Sequence, residues 1–192
     1  MNLAEKLAAA YLRLNGFFLL PHFTVFSGAQ HSHVDLIALR CADSKECVGE
    51  LCFPVDDKLF KALDELRGET AKASLVGLLA EVKTNNELPK LSNEHSAYVK
   101  NFFGGLQVSR IVFYDVQHDI KPNGDTLNIG IQYAGRWIQS RIDWMITQQL
   151  SLTKDGSWTW SESFLSDLLV LRKYGLISAG AAISATTKHE GS

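Results

Sequence analysis

Several things are scarce in this chain, and each absence narrows its class. No apolar run approaches the ~20 residues that cross a bilayer, so no membrane-spanning helix is expected. No stretch is rich enough in Pro, Gly or Ser to separate two domains, and no internal repeat is present. Cysteine is limited to Cys41, Cys47 and Cys52. An odd count fits a reducing compartment and argues against a disulfide framework. With His31 and His33 these cysteines invite a zinc reading, but the paired C-x2-C knuckles of structural zinc sites are missing, and buried or loop thiols are expected instead. The first residues carry an acid at Glu5 and lack an apolar core followed by a small-residue cleavage site. A cytoplasmic protein without a signal peptide is the expectation.

A strong charge of either sign is also missing. The formal net charge is −2, which is not the footprint of a stand-alone duplex binder. Its distribution is uneven. Residues 41–74 hold eight acids against five bases, leaving 13 acids and 14 bases elsewhere. Outside that segment the body is mildly basic, and phosphate binding stays open to it. The 192 residues, 46% hydrophobic and 21% charged, suffice for one soluble domain with a sizeable core.

The informative stretch is Leu78–Thr84, read Leu-Leu-Ala-Glu-Val-Lys-Thr. Period-two alternation places Leu79, Glu81 and Lys83 on one strand face and Leu78, Ala80 and Val82 on the other. An acid and a lysine at the end of an apolar strand are costly to bury without a purpose. Upstream, the apolar run Val34–Leu39 carries one acid, Asp35, at its entry. The set Asp35, Glu81, Lys83 resembles the catalytic signature of the PD-(D/E)XK nuclease superfamily, most closely its Holliday-junction-resolvase and Mrr-like branches. There a "VDLIA" strand precedes an "EVK" strand.

The order of elements bears on that resemblance. Asn2 with Glu5 three residues later reads as a capping box opening a helix to about Asn15, stopped by Gly16. Phe17–Phe26 is an aromatic strand bent or placed at an edge by Pro21, and Val34–Arg40 pairs with it as a hairpin. Residues 41–74 form an insertion, with a helix expected over Val55–Arg67 as a lid, a partner surface or decoration. Ser92 caps a helix carrying Ala97, Tyr98, Phe102 and Phe103. Arg110–Val116 is a strand, turned at Pro122-Asn123-Gly124 into Leu127–Ile131.

Helix, strand, strand, strand, helix, strand is the order the superfamily uses. The resemblance therefore implies an α/β fold: a restriction-endonuclease-like αβββαβ core with a central mixed sheet flanked by helices. That core would span residues 1–132. Residues 133–192 read as a helix-hairpin-helix extension packed on it rather than an independent domain. The first of its helices, Trp137–Leu150, aligns Trp137, Arg141 and Trp144 on one face, for base stacking or for packing.

The resemblance also implies chemistry. Hydrolysing a phosphodiester needs a strong nucleophile and positive charge where the phosphate gains negative charge. Asp35 and Glu81, with the Val82 carbonyl, would hold Mg²⁺, for which Mn²⁺ could substitute. Lys83 would orient the attacking water or stabilise the phosphorane rather than abstract a proton. Thr84 is a weaker candidate for phosphate contact. Glu5 has two readings, helix cap or auxiliary metal-site acid. His33 similarly reads as a hydrogen-bond partner or a phosphate contact. The implied activity is a Mg²⁺-dependent deoxyribonuclease, an endonuclease acting as a homodimer or as a subunit of a larger complex, with RNA as an open alternative substrate. The competing reading is a catalytically inactive nuclease-like module that binds nucleic acid or assembles a defence or repair complex. Blander still, Glu81 and Lys83 would be a surface ion pair.

Overall fold

Asn2 begins the first helix, α1 (Leu3–Leu14), by accepting the Glu5 amide on Oδ1 at 2.9 Å, while its own amide donates to Glu5 Oε2 at 2.9 Å. That reciprocal pair satisfies two donors a helix start leaves open. Gly16, at φ +81°, supplies the left-handed turn that ends the helix. The computed structural model describes residues 2–27, 30–41, 47–48, 51–68, 75–83, 87–106, 108–115 and 119–148. Thr84, the hairpin at Lys154-Asp155-Gly156 and the helix from Ser161 lie outside these residues.

After α1 come β1 (Phe18–Ser27) and β2 (Gln30–Cys41), the expected antiparallel hairpin. Residues 41–74 hold a two-stranded ladder, β3 (Cys47–Val48) with β4 (Leu51–Cys52), and then α2 (Asp57–Arg67). There follow β5 (Leu75–Lys83), α3 (Asn93–Phe102), β6 (Val108–Tyr114), β7 (Ile120–Asn123), β8 (Thr126–Gly130) and α4 (Ile131–Thr147). The fold is α/β, a mixed six-stranded sheet in the order β1-β2-β5-β6-β8-β7 flanked by helices. β5 and β8 each lie parallel to β6; the remaining pairings of this sheet are antiparallel.

The two faces of the sheet are covered differently. On the face bearing Arg40 and Phe113, Tyr11 of α1 meets Phe113 edge-on at 6.0 Å, and Phe60 of α2 lies under the Arg40 guanidinium at 4.4 Å. On the other, Val99 of α3 packs into a cluster with Val25, Val34, Ile37 and Leu79. Strict alternation would separate Val34 from Ile37. They share one cluster, and the reset falls where the β1–β2 ladder skips the position of His22 opposite Asp35. His22 is there at φ +54°, the left-handed region.

Three expectations need correction. Arg110–Val116 does not turn directly into Leu127–Ile131: β7 intervenes, and β8 pairs parallel with β6. The strand was hidden because Ile120 is its one buried residue and Pro122 is tolerated only at an edge. The residue α3 buries is Val99; Ala97 and Phe102 are exposed and Tyr98 and Phe103 partly so. Cys52 is disulfide-bonded, whereas Cys41 is free and exposed, so the reading of three thiols fails at Cys52. The β3–β4 register sets residues 47 and 52 directly opposite, at the backbone separation a disulfide requires.

By its internal contacts the chain divides into two compact units, Met1–Gly135 and Arg136–Ser192. The first holds the whole sheet. In the second, Arg141 lies over the Trp144 ring at 4.9 Å, so the aromatic–arginine face of α4 is internally paired.

Candidate functional site

Three structural facts bring the charged residues together. The β2–β5 ladder runs Leu36 against Ala80 and Ile37 against Leu79, a register that continued one step sets Asp35 opposite Glu81. Alternation along β5 then places Lys83 on the face of Glu81. Finally, the Val82 amide donates to Asp35 Oδ2 at 2.8 Å, fixing the acid of β2 to the strand that carries the other two.

Glu81 is held from several directions. Its Oε1 lies 2.5 Å from Lys83 Nζ, and its Oε2 accepts the amides of Lys90 (2.8 Å) and Leu91 (3.2 Å). Those amides belong to the segment leading into α3. Ser92 caps that helix, and its amide donates to His95 Nδ1 at 3.2 Å. His95 Nε2 in turn lies 2.6 Å from Ser32 Oγ on β2, so the segment is tied to the same strand that presents Asp35. Lys83 has a second, more distant partner in the exposed Glu87 at 3.8 Å.

Burial decides how this cluster is to be read. Glu81 is 5% exposed and Lys83 4%. A surface ion pair is therefore excluded as a description. Two charges out of water repay their desolvation only with close geometry and further hydrogen bonds, which the 2.5 Å contact and the two amides supply. Asp35 is half-buried, and its Oδ1 carries no protein hydrogen bond among the described residues.

Burial pushes the Asp35 carboxyl above the usual carboxylate range. The Val82 amide opposes this, the negative charges of Glu5 and Glu81 add to it, and Lys83 again opposes it. Glu5 is thus close enough to act on Asp35 electrostatically while it serves the α1 capping box. The helix-cap reading of Glu5 is thus met in the structure.

The sign of the resulting pH dependence follows. Folded Asp35 holds its proton more tightly than unfolded Asp35, whose carboxyl titrates near 3.9. Its charged form therefore subtracts from stability as pH rises from about 4 through the raised folded value; at lower pH the penalty is absent. Asp35→Asn, which keeps an acceptor for the Val82 amide, is expected to melt above the wild type at pH 7. The advantage should vanish near pH 3, as followed by circular dichroism. A wild type more stable than the variant at pH 7 would contradict the assignment of strain to this acid.

Other candidates are placed elsewhere. His33 Nδ1 pairs with Thr24 Oγ1 at 3.2 Å, and its ring meets His31 edge-on, which accounts for it as a hydrogen-bond partner. Among the described residues no three His, Cys, Asp or Glu side chains converge as a metal-holding group. The zinc grouping of His31, His33 and the cysteines is not formed among them.

A cation at the end of β5 would rest on the oxygen pair Asp35 and Glu81. That donor set suits Mg²⁺, which binds through one or two carboxylates and keeps several waters. The open Asp35 Oδ1 fits it, and Glu81 fits it by sharing an oxygen now engaged by Lys83 or by the two amides.

Reasoning from sequence missed Tyr114. The β5–β6 register sets it opposite Lys83, and its hydroxyl feels the charges of Glu81 and Lys83. Its strand was legible, but the pairing of β6 beside β5 was not. The Lys90 and Leu91 amides were also missed, since backbone donors leave no mark in residue identity. Set against protein-family models, curated proteins and solved structures, the chain matches none of them.

Proposed function

We propose that this chain is a metal-dependent endonuclease of the PD-(D/E)XK type that hydrolyses phosphodiester bonds in DNA. The observation that carries the reading is the bond from the Val82 amide to Asp35, just past the last pair of the antiparallel β2–β5 ladder, with Glu81 and Lys83 flanking Val82 and in contact on one face of β5. The order α1, β1, β2, β5, α3, β6 supports it. So do the pairings, antiparallel for β1–β2 and β2–β5 and parallel for β5–β6, which make the sheet mixed, as the resemblance implies.

Each residue then has a role set by its surroundings. Asp35 presents an open oxygen, oriented by the Val82 amide. Glu81 supplies the second carboxylate and is kept in place by the Lys90 and Leu91 amides. Lys83, buried beside Glu81, carries the fixed positive charge and meets the phosphate as it gains negative charge. Glu5 adds negative charge beside Asp35, which favours a cation there. When bound between Asp35 and Glu81, Mg²⁺ supplies neutralisation of the phosphate and a water of lowered pKa.

One observation favours a second reading, a catalytically inactive module that binds nucleic acid or assembles a larger complex. Both oxygens of Glu81 are engaged within the protein, and the pair it forms with Lys83 is almost wholly buried. A purely structural ion pair would look the same.

Incubation with branched, linear and single-stranded DNA, and with RNA, in Mg²⁺ or Mn²⁺ separates the two. Cleavage by the wild type, reduced about 100- to 1,000-fold in Asp35→Asn, is expected for a site of this kind. Binding without cleavage in either metal would select the second reading. Cleavage that persists in Asp35→Asn would place the activity elsewhere.

A further inference from the structure

Tyr114 is a residue at this site whose hydroxyl makes no hydrogen bond among the described residues. Its position is set by β6: the parallel register pairs Glu81 with Val112 and Lys83 with Tyr114. Paired residues of parallel strands leave the sheet on the same face, so Tyr114 stands beside Lys83 on the face of Glu81. It is half-buried, with solvent reaching part of it.

Two other tyrosines of the chain show what a structurally employed hydroxyl looks like here. Tyr11 Oη donates to Asp56 Oδ2 at 2.6 Å, and Tyr133 Oη donates to the same carboxylate at 2.9 Å. Tyr114 interacts with its surroundings through burial and through the charges of Glu81 and Lys83, and among the described residues no hydrogen bond engages its hydroxyl. A phenol placed beside a lysine and left without a partner is a donor available to something that enters from outside.

Resting on the nuclease reading, we propose that Tyr114 is a further catalytic residue whose hydroxyl donates a hydrogen bond to a non-bridging oxygen of the phosphate bound beside Lys83. The group suits the task. Burial raises the phenol above its usual range, with Glu81 adding to the effect and Lys83 opposing it, so the proton is present at every working pH. A neutral donor adds to the charge of Lys83 without competing with it for Glu81. Because the aromatic ring has few rotatable bonds, the hydroxyl is held in place at little entropic cost.

The test is Tyr114→Phe, which removes one oxygen and leaves the ring. Single-turnover cleavage is measured on oligonucleotides carrying either phosphorothioate diastereomer at the scissile bond, alongside the unmodified strand. The expected result is a 10- to 100-fold lower rate on the unmodified strand with KM changed less than about twofold. One diastereomer should also lose less rate in the variant than in the wild type, since the oxygen that Tyr114 contacts has become a poorer acceptor. A structural role would move melting temperature and both diastereomers alike.

If the wild type cleaves and Tyr114→Phe matches it, or loses rate equally on all strands, the inference is overturned and the nuclease reading stands. If the wild type cleaves nothing, both fall together.

Discussion

Glu81→Ala is expected to destabilise the fold by about 3–5 kcal/mol, because it leaves the Lys83 ammonium buried without its close partner. Lys83→Met should cost a smaller amount, since Glu81 keeps the Lys90 and Leu91 amides. The double variant Glu81→Gln with Lys83→Met removes both charges while keeping a side chain that those amides can reach. Its cost is expected to fall short of the sum of the Glu81→Gln and Lys83→Met singles by about 2 kcal/mol, a coupling that urea denaturation resolves. Additive losses would mean that the 2.5 Å contact contributes little to the folded state. The same experiment bears on activity. Loss of cleavage in the alanine variant does not separate loss of the site from loss of the fold, whereas the double variant is expected to fold without the charges of the site.

The second large effect lies away from the site, at Asp56. This carboxylate is 4% exposed and receives the hydroxyls of Tyr11 from α1 and Tyr133 from the first turn of α4. It also caps α2 through the Lys58 amide at 3.1 Å, and its own amide donates to Asn15 Oδ1 at 2.7 Å. One side chain thus joins the insertion, the first helix and Tyr133 within the first unit. The Tyr11 phenol is pushed well above its usual range, first by burial and then by the Asp56 charge, so it remains a donor.

Asp56→Ala removes two charge-assisted hydrogen bonds and a helix cap at once, and a loss of about 4 kcal/mol in unfolding free energy is expected. Tyr133→Phe, which removes one donor, should cost about 1–2 kcal/mol. A loss below 1 kcal/mol for Asp56→Ala would show that α2 docks through its apolar residues alone. Lys58 extends the attachment of α2 by pairing with Asp119 of the segment before β7.

The parts of the fold legible in sequence are those where local chemistry and period agree. Asn2 and Glu5 announced α1, and the alternation of Leu78–Lys83 announced β5 and the shared face of Glu81 and Lys83. What stayed hidden depended on pairing between distant segments. Register sets Tyr114 beside Lys83 and brings Asp35 to the Val82 amide, and no residue type encodes register by itself. Asp56 was one acid among eight in a segment read by its charge, although its bonds to Tyr11, Asn15, Lys58 and Tyr133 make it a structural centre. β7 was missed because an edge strand with one buried residue leaves too little apolar pattern. The near-complete burial of Glu81 and Lys83 was also hidden, since residue identity does not say how far a strand end is covered.

The decisive measurement is calorimetric titration of the folded protein with Mn²⁺, repeated on Asp35→Asn at the same pH. One site per chain in the wild type, lost in the variant while its melting temperature is kept or raised, is the expected result. Absence of uptake by the wild type, or equal uptake by both proteins, would contradict a cation site built on Asp35 and Glu81.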